Sequence, residues 1–256
     1  MKNFDPVIDP VIDPKKIFII DDVAPEWLFN SWRSRIIQAQ RWKYGLAATR
    51  LDYQRFFAIW ISQAGVHRGI RGPFPGDYDG ICNYFNDLWQ DVHLPSIIPD
   101  SSVVNIHRVH FNGQFPSNEE LGLHYDWEDL DMWTMIYYVE GTGGDTVFFD
   151  NPMPDQDGAL QKPKEIFRSE FKLNRAVFFP SFYWHYAENP PSGFRISLSF
   201  NYLLNRCEIN NQIRRDRQIA ELPKGEPDLS DFYAELDKRA KYEKFVNTGQ
   251  VKDLNS

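Results

Sequence analysis

The sequence predicts a mainly β chain with flanking helices, its core a sandwich or jelly roll. Three observations predict it. From about residue 102 the chain breaks into short aromatic and β-branched runs separated by Gly, Pro, Asn and Asp, the signature of many short strands joined by turns. Before residue 100 and after residue 205, apolar residues recur at helical spacing instead. Aromatic residues are abundant, with 20 Phe, 12 Tyr and 8 Trp in 256 residues, which favours an ordered β-rich core over a disordered chain. That length suits one sizeable domain.

Residues 1–15 are expected to form an extended, Pro-rich N-terminal arm. The tandem run Asp5-Pro6-Val7-Ile8-Asp9-Pro10-Val11-Ile12-Asp13-Pro14 repeats proline every fourth residue, which removes backbone donors and excludes helix or central strand. A partner-docking arm is the sharper alternative. A single domain is expected over 16–205. It opens on the apolar run Ile17-Phe18-Ile19-Ile20, followed by a helix with Pro25 at its first position and Leu28, Trp32, Ile36 and Ala39 on one face. Leu51–Gln63 and Ile81–Val92 read as two more helices, the second aligning Ile81, Phe85, Leu88 and Val92. Between them, His67–Gly76 is rich in turn formers and reads as a loop.

Strands are expected at Val103–Phe111, Gly122–Asp126, Trp133–Val139, Thr146–Asp150, Glu165–Phe171, Ala176–Pro180, Tyr183–Glu188 and Phe194–Leu203, with Asn112-Gly113 and Gly141–Gly144 among the intervening turns. Residues 206–256 are expected to be a charged helical extension, with Phe232, Leu236 and Ala240 on one face.

The formal net charge of −8 argues against a nucleic-acid partner, which needs a basic face. Cys82 and Cys207 stand far apart with no second thiol beside either, so buried free thiols in a reducing compartment are expected rather than a disulfide or a cysteine zinc site. The N-terminus lacks a signal-peptide core, and no apolar run is long enough to span a membrane. A soluble, cytoplasmic protein without a membrane partner is expected.

The chemistry concentrates in His124-Tyr125-Asp126, His185 and Arg195-Ile196-Ser197. Two imidazoles and one carboxylate are the ligand set of a facial triad around non-haem Fe(II), which leaves coordination positions open. On a strand, residues i and i+2 share a face, so His124 and Asp126 can converge on one ion. An arginine adds a fixed, always-charged fork suited to a dicarboxylate. A buried His–Asp hydrogen bond without metal is the plain alternative. His67, His93, His107 and His110 offer no rival ligand set, since His107 and His110 fall on opposite faces of one strand.

Over residues 103–203 the chain resembles the Fe(II)/2-oxoglutarate-dependent dioxygenases, in particular their prolyl 4-hydroxylase-like branch. The resemblance runs through His124-x-Asp126, Thr134–Val139, Gly143-Gly144-Asp145-Thr146-Val147-Phe148, Lys172–Phe179, His185 and Arg195-Ile196-Ser197. It implies a double-stranded β-helix (jelly roll, cupin-like) core over about 103–203, with His124, Asp126 and His185 as iron ligands. It also implies Arg195 on the distal carboxylate of 2-oxoglutarate, Tyr138 on the same carboxylate and Ser197 assisting. Fe(II), 2-oxoglutarate and O2 would be the cofactor and co-substrates, with succinate and CO2 released. The family's halogenases lack the ligand carboxylate, so Asp126 favours hydroxylation, of a protein prolyl residue or a small amino-acid-like molecule. Where many members carry a tyrosine before the His-x-Asp pair, this chain has Phe111, for which Asn105 or Arg108 would have to substitute. The superfamily's nucleic-acid demethylases carry a second arginine where this chain has Asn201.

Trp127 and Trp184 flank the ligands and are candidate pocket residues. The acidic run Trp127-Glu128-Asp129-Leu130-Asp131 could face a basic substrate or form a solvated turn. Two other classes of function compete with an enzyme. One is a non-catalytic cupin-like metal- or ligand-binding protein, which has no need of Arg195 and Tyr138. The other is an interaction module working through its arm and extension.

Overall fold

The computed structural model describes residues 13–39, 42–44, 56–62, 79–117, 122–150, 163–205 and 207–220, all within one compact unit that reaches Ala220. Most of the arm, the His67–Gly76 loop and Phe232, Leu236 and Ala240 lie outside the described residues. The elements run β1 (Phe18–Ile20), α1 (Glu26–Ile37), β2 (Lys43–Tyr44), β3 (Phe56–Ser62), α2 (Asp79–Leu88), α3 (Leu94–Ile97), β4 (Val103–Gln114), β5 (Met132–Glu140), β6 (Thr146–Phe149), β7 (Glu165–Ser169), β8 (Ala176–Pro180), β9 (His185–Ala187), β10 (Arg195–Leu204) and α4 (Glu208–Ala220). Seven strands form one sheet in the order β1-β8-β5-β10-β4-β3-β2, and β7-β6-β9 form a second. Every pairing is antiparallel. The sheets meet where Tyr138 of β5 donates its hydroxyl to Thr146 of β6 at 2.8 Å, and where Phe148 packs edge-on against Phe179 at 4.8 Å. The core is a jelly roll.

The large sheet is two-faced, and the period-2 alternation of its central strands is the reason. On β10, Leu198, Phe200 and Tyr202 point one way, while Arg195, Ser197, Ser199 and Asn201 point the other. The first set packs under the helices: Phe85 of α2 lies 4.5 Å from Tyr137 and 5.9 Å from Phe200, and Phe29 of α1 lies 6.2 Å from Tyr137. Phe85, Phe178 and Phe200 are fully buried, each contributing about 1.5–3 kcal/mol from burial. The other face is polar, and it carries the site. At the far end α4 is tied to the sheet through Asn210, which accepts from Trp133 Nε1 at 2.9 Å, through Arg214 on Asp131, and through Asp216 on the buried Lys16 at 3.2 Å.

Four expectations change. Within Leu51–Gln63 the described residues form strand β3, not a helix. The run Phe56–Ile61 is continuously apolar, so it carries no period that separates a buried strand from a buried helix. Asn112-Gly113 is not a turn, because β4 continues through it to Gln114. Gly113 is needed there, since a Cβ would fall within 1.9–2.3 Å of the Phe57 ring that lies across it. Gly122–Asp126 is no strand, and only His124 forms a bridge, because the amides of Asp126 and Trp127 both turn to Ser181 O, at 2.9 and 3.2 Å. The last change concerns the apolar stripe of α2, which breaks after Trp89. A π-turn over Trp89–His93 shifts the helical phase, burying Trp89 and leaving Val92 54% exposed. In α1 the buried residues are Phe29, Trp32 and Ile36, with Leu28 and Ala39 half-buried beside them. Among the described residues no helix is long and apolar enough to cross a membrane.

Replacing Gly113 with alanine should cost about 1–3 kcal/mol of unfolding free energy through overpacking. Combined with Phe57→Ala, the loss measured in urea should fall well short of the sum of the single changes.

Candidate metal centre

The site begins with a main-chain contact. His124 N donates to His185 O at 3.1 Å and His185 N donates back to His124 O at 2.8 Å, which sets the two imidazoles 4.6 Å apart, centre to centre. Each ring then turns its Nδ1 to a carbonyl: His124 to Gly122 O at 2.9 Å and His185 to Tyr183 O at 2.8 Å. A carbonyl only accepts, so Nδ1 carries the proton in both rings and Nε2 keeps its lone pair for a metal. Asp126 completes the set, with donor atoms of the three residues all within 4.8 Å of one another. This donor set fits a divalent ion of the non-haem iron class. Among the described residues it is the one such cluster.

Electrostatics match that use. His185 is 4% exposed, and burial, reinforced by His124, pushes its pKa down to about 4. The ring is therefore neutral at neutral pH, as a ligand must be. Phe179 and Phe148 flank it at 4.9 and 5.8 Å. Burial works to raise the Asp126 carboxyl, but the Arg108 guanidinium, together with the two neighbouring imidazoles and the Thr134 hydrogen bond, outweighs it and holds the group well below the usual carboxylate range. Arg108 Nη2 donates to Asp126 Oδ1 at 2.6 Å, while Thr134 Oγ1 and Asn201 Nδ2 donate to Oδ2 at 2.8 and 3.3 Å.

These ligands open into a cavity of about 880 Å³, counting space open to solvent, whose walls also include Arg195, Ser197, Thr146 and Ile136. Arg195 is 4% exposed. Burial pushes its pKa down, yet no carboxylate forms an ion pair with it among the described residues. Its Nη2 donates to Thr146 Oγ1 at 3.2 Å, its plane lies over the Tyr138 ring at 5.1 Å, and its buried Nε has no hydrogen-bond partner among the described residues. Thr146 Oγ1 also accepts from Tyr138. With two donors on its oxygen, Thr146 still has its own proton to give to an acceptor in the cavity. A buried cation with a spare donor beside a free hydroxyl proton is a receptor for a carboxylate.

The expected residues thus divide. His124, Asp126, His185, Arg195 and Ser197 share one cavity. Tyr138 is not among its lining residues; it supports Arg195 from below and orients Thr146. Trp127 and Trp184 do not line it either: Trp127 packs on His107 at 5.4 Å and Trp184 on Tyr125 at 4.9 Å, because neighbours along an extended chain point to opposite sides. Phe111 faces the helical side, 6.5 Å from Trp42, so that position owes nothing to the cavity. Arg108 serves Asp126 rather than substituting there. The acidic turn is held internally, with Glu128 accepting from Tyr125 and Asp129 from Asp131 N. Spacing alone does not single out Arg108, His110, Asn112, Gln114, Thr134 or Thr146. The legible signal is strict alternation, with polar residues at 108, 110, 112 and 114 of β4 paired in register with Asn201, Ser199, Ser197 and Arg195 of β10.

No protein-family model matches the chain, and no curated protein matches it. Solved structures do. The chain is similar to 2OG-Fe(II) oxygenases. A Burkholderia pseudomallei oxidoreductase of the 2OG-Fe(II) oxygenase family superposes with a TM-score of 0.46 at 11% identity, covering 73% of this chain and 84% of that one. A Trichoplax adhaerens prolyl hydroxylase, solved with a hypoxia-inducible factor peptide fragment, gives 0.48 at 14% identity over 82% and 89%. A Pseudomonas putida prolyl-4-hydroxylase gives 0.43 at 15% identity over 73% and 92%.

Mn(II) at a hundredfold excess over its dissociation constant should stabilise the folded protein by about 2.7 kcal/mol, read as a rise in thermal midpoint. His124→Ala and His185→Ala should each abolish that rise.

Proposed function

We propose that the protein is an Fe(II)- and 2-oxoglutarate-dependent dioxygenase that hydroxylates an aliphatic C–H bond of a protein prolyl residue or a small amino-acid-like substrate. One observation carries the reading: Arg195 is buried, has a spare donor, and lines the same cavity as His124, Asp126 and His185. A protein that merely held a metal would gain nothing from burying a guanidinium that has no ion-paired carboxylate among the described residues, a burial that costs several kcal/mol. A non-catalytic cupin-like role therefore leaves Arg195 unexplained.

His124, Asp126 and His185 would hold the iron. Arg195, with the free proton of Thr146 and the hydroxyl of Ser197, would bind the distal carboxylate of 2-oxoglutarate. When bound, iron and 2-oxoglutarate supply O2 activation and the oxidative decarboxylation that releases succinate and CO2. The chain's own part is orientation and exclusion of water. Tyr138 fixes the height and plane of Arg195. Phe148 and Phe179 dry the His185 side. His110, Asn112 and Gln114 line the β4 wall; Asn112 Nδ2 donates to His110 Nε2 at 2.8 Å and Gln114 donates to Asn189 at 2.8 Å. An amide-bearing wall supports a substrate with peptide-like or amino-acid polar groups. Cys82 and Cys207 are buried thiols outside any disulfide, in keeping with a reducing, cytoplasmic compartment.

Anaerobic addition of Fe(II) and 2-oxoglutarate together should produce a visible charge-transfer band. Arg195→Ala should weaken 2-oxoglutarate binding by roughly 10–100-fold, the worth of a charge-assisted pair. No band in folded protein, or an unchanged titration in the variant, would contradict the proposal.

A further inference from the structure

A buried carboxylate needs an offsetting charge whether or not a metal is present. Asp126 has one in Arg108, which lines the same cavity. Arg108 Nη2 sits 2.6 Å from Oδ1, and Arg108 is not free to swing away, because its Nε donates to Asn201 Oδ1 at 2.7 Å. Asn201 is its register partner across β4 and β10, and is itself pinned by donating to Thr134 Oγ1 at 2.8 Å. The carboxylate's acceptor sites can be apportioned. Oδ2 takes two neutral donors, from Thr134 and Asn201, which fills it. Oδ1 takes Arg108 and keeps one site. A metal reaching Asp126 would then share Oδ1 with the guanidinium.

We propose that Arg108 is the resident counter-cation of Asp126: it keeps the metal-free ligand set assembled and competes with the metal ion for the same carboxylate charge. The inference rests on reading His124, Asp126 and His185 as a metal site. Its consequence runs opposite to that of an ordinary supporting hydrogen bond. Losing a neutral partner of a ligand weakens metal binding, typically by about 10–100-fold. Losing Arg108 removes a fixed positive charge a few ångströms from a divalent ion, and binding tightens. At an effective dielectric near 20, such a charge is worth at least about a tenfold change in affinity. The metal-free state pays instead, because Asp126 is left buried and uncompensated.

The test uses the full chain and Mn(II) alone, read by calorimetric titration and by thermal midpoints with and without the ion. Arg108→Gln should tighten Mn(II) binding about tenfold or more and lower the metal-free midpoint more than the Mn(II)-loaded one. Thr134→Val, which removes a neutral donor from the same carboxylate, should loosen Mn(II) binding. Arg108→Lys keeps the charge while losing the fork, and should bind Mn(II) within about threefold of the wild type. It decides the matter if Arg108→Gln does not fold. Weaker or unchanged Mn(II) binding in Arg108→Gln, or a tenfold loss in Arg108→Lys, overturns the competition. Failure of the wild type to bind Mn(II) at all overturns the metal-site reading, and this inference with it.

Discussion

The arrangement depends on one short piece of chain, Ser181 to His185, and on the reciprocal main-chain bridge between His185 and His124. Ser181 N is anchored to Met132 O at 2.8 Å and Tyr183 N to Pro180 O at 3.0 Å, so the segment is fixed to the sheet before it touches the site. From there, Ser181 O catches the amides of Asp126 and Trp127, Tyr183 O orients the His185 ring, and His185 pairs with His124. Two backbone hydrogen bonds would do little alone, about 1 kcal/mol each. Their effect is geometric: they bring together ligands that the sequence separates, and the two neighbouring carbonyls choose the tautomer.

The second constraint is the two-faced sheet. Burying Arg195, His110, Ser197, Ser199 and Asn201 in one wall is expensive unless each finds a partner. Aromatic packing on the opposite face, where Phe85, Tyr137, Phe178, Phe200 and Tyr202 are nearly inaccessible, offsets that expense and makes the wall rigid. The polar side is then largely self-consistent. Arg108, Asn201, Thr134, Ser181 and Asp126 form one hydrogen-bonded network. Arg195 Nε, which lies in that wall, is a buried donor left without a partner among the described residues.

The clustering of His124, Asp126 and His185 was legible because a His-x-Asp pair, a distant His and a following Arg form a specific combination. Its geometry was not, since a single His124–His185 bridge, followed by the amides of Asp126 and Trp127 on Ser181 O, replaces the expected strand, and long-range main-chain contacts leave no local pattern. Most strand positions were readable from alternation, whereas β3 was not, its apolar run having no period. The helix after Asp79 was readable up to Trp89, where a one-residue π insertion changes the phase. Sequence adjacency misled for Trp127 and Trp184, which neighbour ligands along the chain but point away from them. The pairing of Arg108 with Asp126 was not legible for the converse reason. Arg108 is distant from Asp126 in sequence and meets it only in the fold, where Asn201 of β10 holds the guanidinium in place.

In the proposed enzyme one cavity holds a divalent metal on His124, Asp126 and His185 and a dicarboxylate on Arg195. Anaerobic crystals grown with Mn(II) and 2-oxoglutarate, measured at the manganese absorption edge, test it directly. The expected result is an anomalous peak bounded by those three side chains, with 2-oxoglutarate reaching from it to the Arg195 guanidinium. A peak elsewhere, or a co-substrate whose far carboxylate avoids Arg195, would contradict it.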